Sequence, residues 1–142
     1  LAGGTKLPKS GKVFISVKEQ DRPKAVEIAR DLSGLGFTLL ATRGTGAAIE
    51  AAGHKVQIVN KVAEGRPHIV DMIKNNEVAL IINTVEEKRQ AIADSRSIRT
   101  SALAQRVTLF TTIEGGRAAC AGMRHLAELE TYALQTLHAE LR

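Results

Sequence analysis

The chain has 142 residues, with one cysteine, one tyrosine, three phenylalanines and no tryptophan, and its 20 Lys+Arg against 15 Asp+Glu leave a formal charge of +5. That length supports one domain with a full core, and the scarcity of aromatics leaves little for base-stacking platforms. A lone thiol excludes an internal disulfide and a multi-thiolate metal site.

Residues 1–11 are rich in small residues and carry Lys6, Pro8, Lys9 and Ser10, so they read as a linker, with the folded domain over 12–142. A chain that opens on a linker without an initiator methionine reads as a piece of a longer protein. Lys12 to Val17 is a β-branched run and the first strand. Asp21 is a candidate N-cap, with Pro23 in the first turn of a helix that carries Ala25, Val26, Ile28, Ala29 and Leu32 at helical spacing. Gly34 or Gly36 stops it. Phe37 to Leu40 is the second strand and Gly46 to Ala52 the second helix. Val56 to Val59 is a third strand, and a loop through Lys61, Glu64, Gly65, Arg66 and Pro67 leads to a short helix, His68 to Lys74. Val78 to Ile82 is wholly apolar, as expected of a strand buried on both faces. A charged helix from about Glu87 to Gln105, a fifth strand from Val107 to Phe110 and a helix from Ile113 to the end complete the chain. Strands alternating with helices predict right-handed crossovers and an α/β fold with a parallel sheet.

Ligands bind such sheets outside the carboxyl ends of the strands. There the chain places Lys18 to Arg22, Thr42 to Gly46, Asn60 and Lys61, Asn83 and Thr84, and Thr111 and Thr112. The run Ala41-Thr42-Arg43-Gly44-Thr45-Gly46 reads as strand, tight loop and helix start. Unpaired amides and the positive end of a helix dipole suit a phosphate there, glycine permits close approach, and threonine hydroxyls add donors. It is neither a Walker loop nor G-x-G-x-x-G. The plainer alternative is a threonine-capped turn. The cations are scattered and often beside acids, as in Glu86-Glu87-Lys88-Arg89. That favours a solvated surface with a local anion pocket over nucleic-acid binding. Cys120, in Ala118-Ala119-Cys120-Ala121-Gly122, reads as a small buried residue, and a reducing, cytoplasmic setting follows. No membrane-length apolar run and no signal peptide is seen in the sequence.

The run Val59-Asn60-Lys61-Val62-Ala63-Glu64-Gly65-Arg66-Pro67-His68-Ile69 resembles the C-terminal regulatory domain of the carbamoyl-phosphate synthase large subunit. Ile81-Ile82-Asn83-Thr84, Ala91 to Arg99 and the Thr42–Thr45 loop are similar to it too. The resemblance runs from about Gly11 to the C-terminus. It implies a methylglyoxal-synthase-like three-layer sandwich, with a five-stranded, mostly parallel sheet and helices on both faces. It also implies binding of UMP-type inhibitors and IMP-type activators, with ornithine at a nearby site. Carried over by position, the effector or phosphate site would be Arg22, Thr42, Gly44, Thr45, Gly46, Lys61, Asn83 and Thr84, with Thr111 in the second effector site. Arg22 stands where the family often has lysine, and arginine can hold a phosphate bidentately. Val85 replaces a threonine and Phe110 an aspartate of an enterobacterial pattern, which counts against an ornithine response. The implied parent makes carbamoyl phosphate for pyrimidine and arginine biosynthesis. It would use ATP, Mg2+ and, as a further candidate, K+, none of them in this domain. Its implied partners are the rest of the large subunit and the glutaminase small subunit.

The enzyme alternative is a methylglyoxal-synthase-like lyase acting on dihydroxyacetone phosphate. It needs a carboxylate base beside the phosphate. Family members carry Gly-Gly-Asp where this chain has Glu64-Gly65-Arg66-Pro67, and their Pro-His-Asp-x-Asp element is missing. No catalytic residue is therefore expected, and Asp94 reads as an ion-pair partner of Arg96 or Arg99. His68 follows Pro67 at a helix start and reads as a cap or packing residue. His54, His125 and His138 have no metal spacing. Leu126, Leu129, Ala133, Leu137 and Leu141 form an apolar face of the last helix. It either packs on the domain's own sheet or contacts the parent or a second copy.

Overall fold

The structure is a computed structural model that describes residues 8, 10–61, 64–65, 68–85 and 89–140. Of the expected linker only Pro8, Ser10 and Gly11 fall within these, and Arg66, Pro67, Glu86, Glu87, Lys88 and Leu141 lie outside them. Five strands alternate with five helices: β1 (Lys12–Ser16), α1 (Arg22–Gly34), β2 (Thr38–Ala41), α2 (Arg43–Ala51), β3 (Gln57–Ile58), α3 (Ile69–Lys74), β4 (Leu80–Asn83), α4 (Arg89–Gln105), β5 (Thr108–Phe110) and α5 (Ile113–Glu140). A 3-10 turn, Glu19–Asp21, leads into α1. The sheet order is β3-β2-β1-β4-β5 and every pairing is parallel.

Period-two alternation divides the core into two layers. Val13 sits opposite Leu39 on one side and Leu80 on the other, and Phe14 sits opposite Leu40 and Ile81. Val13, Ile15, Leu39, Leu80 and Ile82 pack with Ala25, Ile28, Ala29 and Leu32 of α1, Ile49 of α2, and Ile113, Ala119, Cys120 and Met123 of α5. Phe14, Leu40 and Ile81 point the other way, onto Ile69 and Ile73 of α3 and Ile98 and Ala102 of α4. Burying each such large side chain contributes about 1.5–3 kcal/mol against leaving it exposed. Helices therefore cover both faces, as a sheet of near-continuous apolar strands requires.

Two details depart from the sequence reading. The second helix begins at Arg43, ahead of the expected Gly46, so a single residue, Thr42, separates it from β2. The last helix is exposed after Met123: every residue from 124 to 133 is exposed, with Leu126 and Leu129 about half so (48% and 49%). At these positions the apolar face does not pack on the domain's own sheet.

Candidate functional site

Strand order reverses between β1 and β4, which makes their carboxyl ends the switch point of the sheet. The start of α2 lies beside it. Thr42 takes the N-cap position in an extended conformation, but its side chain makes no cap hydrogen bond. Its hydroxyl donates instead to Ser16 Oγ at the end of β1, at 3.1 Å. The first amide with a helical acceptor is Gly46 N–H, 2.7 Å from Thr42 O. The N–H groups of Arg43, Gly44 and Thr45 are left without one. The start of α3 is closed by contrast. Asp71 N–H donates to His68 Nδ1 at 3.4 Å and His68 N–H to Asp71 Oδ2 at 3.2 Å, a reciprocal capping box. His68 thus caps, as its place in the sequence predicts.

Two arginines stand at helix starts. Arg22 is the first residue of α1 and Arg43 the first of α2, and neither helix has an acid in its first turn. A cation at the positive end of a helix is unfavourable, by about 0.3–1 kcal/mol at an exposed site. The Arg22 guanidinium lies directly over Gly44: a Cβ there would come within 3.0 Å of Arg22 Cζ and collide with Nη2. Arg22 Nε is buried and has no hydrogen-bond acceptor among the described residues. Arg43 is held by Glu64 Oε2, which accepts from its Nε at 3.2 Å, and by Asn60 Oδ1, which accepts from Nη2 at 3.0 Å. The Glu64 carboxyl is held below its ordinary value. The hydrogen bond from Lys61 N–H contributes most, burial opposes it, and Arg43 adds to it.

Thr45 and Thr84 are both buried, and both serve the turn after β1. Thr45 Oγ1 accepts from Val17 N–H at 3.1 Å, and Thr84 Oγ1 accepts from Lys18 N–H at 2.9 Å. Neighbouring Asn83 is buried and donates from Nδ2 to Ser95 Oγ at 3.2 Å. Gly46 has a packing role, since a Cβ there would strike Ile58 Cδ1 and its own amide is already used. Lys61 is exposed beside Asn60 and Glu64. Thr111 is exposed at the end of edge strand β5, with β1 and β4 between it and the strand that leads into α2. Arg22, Thr42, Gly44, Thr45 and Thr84 therefore meet around the ends of β1, β2 and β4, while Thr111 stands apart. The sequence reading missed Arg43, which occupied the variable place in the Thr42–Thr45 motif, and Ser16, an unremarked strand-end hydroxyl. Cys120 is buried and its thiol is pushed up to about 12, chiefly by burial, so it packs as a neutral group. Among the described residues no cluster of His, Cys, Asp and Glu could hold a metal, and no helix is long and apolar enough to cross a membrane.

Residues 24–111 match the family model of the MGS-like domain. The chain belongs to the MGS-like domain family. This MGS-like chain is 61% identical over 141 residues to the carbamoyl phosphate synthase large chain of Ralstonia nicotianae, and 54% identical over 136 residues to that of Pseudomonas putida. Those matches take in 99% and 96% of this chain but 13% of each relative, so the chain spans about an eighth of their length. A methylglyoxal synthase from Elizabethkingia anophelis has the same fold, with a TM-score of 0.60, 18% identity, and coverage of 82% of this chain and 77% of that one.

Proposed function

We propose that the chain is the effector-binding regulatory domain of a carbamoyl-phosphate synthase large subunit, and that a nucleoside monophosphate seats its phosphate at the start of α2. One observation carries the reading: Arg22 lies over Gly44 at an uncapped helix start with no acid in its first turn. Amides of Arg43, Gly44 and Thr45 supply directed donors, and Arg22 and Lys61 neutralise charge. Ribose and base face Asn83 and the end of β4. UMP and IMP are the proposed effectors, and the surface at Thr111 is the candidate second site, where Phe110 in place of an aspartate counts against ornithine. The remainder of the large subunit and the glutaminase small subunit are the proposed partners. The proposed parent is a cytoplasmic ligase that uses ATP and Mg2+ outside this domain. Regulation follows when an effector binds two states of that parent with different affinity.

Lyase chemistry on dihydroxyacetone phosphate finds less support. It needs a carboxylate free to move a proton. Glu64, from the loop that replaces Gly-Gly-Asp, has one oxygen on Lys61 N–H and the other on Arg43. Calorimetric titration with UMP, IMP and ornithine tests the proposal, alongside an assay for methylglyoxal from dihydroxyacetone phosphate. One-to-one nucleotide binding is expected, weakened about tenfold or more by Lys61→Ala, as loss of a charge-assisted contact predicts, and weakened also by Thr45→Ala, which frees the Val17 backbone beside the site. Turnover to methylglyoxal, or no nucleotide binding, would contradict it.

A further inference from the structure

We propose that Arg43 is a positioning residue: with Asn60 and Glu64 it forms a latch that holds Lys61 beside the start of α2, ready for a phosphate monoester. The proposal rests on the nucleotide reading above and adds a residue that neither the family motif nor the charge pattern singled out.

The geometry closes on both sides of Lys61. Lys61 N–H donates to Glu64 Oε1 at 2.7 Å, and Glu64 N–H returns a bond to Lys61 O at 3.0 Å. The second Glu64 oxygen accepts from Arg43 Nε at 3.2 Å. Arg43 Nη2 donates to Asn60, the residue before Lys61, at 3.0 Å. Asn60 is itself anchored to α3, because Ile69 N–H donates to its carbonyl at 3.1 Å. The backbone at Lys61 is thus tied to the first residue of α2 and the first residue of α3. The planar fork of arginine is what allows two acceptors to be held at once, and lysine cannot copy it. An isolated exposed ion pair contributes little. This one differs because both carboxylate oxygens and two guanidinium nitrogens act on one short segment. A lysine side chain loses much rotamer freedom when it is ordered on a ligand, and a fixed backbone removes part of the ordering cost on binding. The latch also sets a carboxylate against the cation at the start of α2, which leaves the amides there open for the ligand.

The test is titration of UMP and of IMP into the wild-type chain, Arg43→Ala, Arg43→Lys, Lys61→Ala and the Arg43→Ala/Lys61→Ala double variant, with thermal midpoints recorded for each. Arg43→Ala is expected to weaken binding about threefold to tenfold, the cost of ordering one long side chain. Arg43→Lys should fail to rescue it, and Arg43→Ala should cost nothing further once Lys61 is gone. Full rescue by lysine, or a loss that adds to that of Lys61→Ala, would overturn the latch and mark Arg43 as a direct charge on the ligand. Unchanged affinity in Arg43→Ala, with Lys61→Ala still impaired, overturns the latch and leaves the nucleotide site standing. Unchanged affinity in Lys61→Ala and Thr45→Ala alike sinks the nucleotide reading, and the latch with it.

Discussion

Arg22 and Gly44 act as a pair. The guanidinium occupies the space that any side chain at position 44 would take, so the glycine is needed for room, where it would otherwise weaken a helix. Gly44→Ala separates binding from stability. Alanine favours the helix by up to about 1 kcal/mol, while the displaced Arg22 leaves the anion site. The expected outcome is a thermal midpoint that holds or rises, with UMP affinity down about tenfold, roughly one charge-assisted hydrogen bond. A variant that binds as wild type does would remove Arg22 from the site. Thr45 and Thr84 belong to the same scale. Their place in the sequence suggests ligand contacts, but their oxygens hold the backbone of Val17 and Lys18. Thr45 both accepts from Val17 N–H and donates to Val17 O at 3.4 Å, whereas Thr84 accepts from Lys18 N–H. Sequence shows that hydroxyls gather at strand ends and does not show which backbone they support.

Helix starts decide what each element can do. The start of α3 spends its Asp71 amide on His68 and its Ile69 amide on Asn60 O, and the start of α2 has no side-chain cap. The first was legible in part, because His68 follows Pro67 at a helix start; its partner Asp71 emerged only in the fold. The second was misplaced by three residues because Gly44, Thr45 and Gly46 are weak helix formers. Tertiary packing overrides that weakness: Gly46 lets α2 approach β3, where Ile58 Cδ1 fills the space a side chain would need. Gly46→Ala should therefore lower stability by about 1–3 kcal/mol, as overpacking does, despite alanine's better propensity. Chemical denaturation checks this, and a stabilised variant would show that the Ile58 side chain can turn clear of α2. Strand identities were legible from apolar runs bounded by glycine and polar residues. The pairing of Arg43 with Glu64, 21 residues apart, was not, because no periodicity links two loops that meet only in the fold. The apolar stripe on α5 was legible as a stripe, and its lack of cover at Leu126 and Leu129 required the structure.

At the scale of the whole molecule, the sheet order makes the site. With β1 and β4 adjacent at the reversal, the turn after β1, the start of α2 and the end of β4 share one edge. Thr45 and Thr84 tie these three pieces together through Val17 and Lys18. Under the proposed function, an anion bound there would touch segments that are distant in sequence, so that binding could bias the shape of a larger protein. A segment matching this chain makes up 13% of each of two longer relatives. The most direct test is a titration of the isotope-labelled chain with UMP and with IMP, followed by backbone amide NMR shifts. Saturable shifts of the Arg43, Gly44 and Thr45 amides, with those of Ile69 to Asp71 at the capped start of α3 nearly still, are predicted. Binding that leaves the α2 amides unmoved would contradict the account.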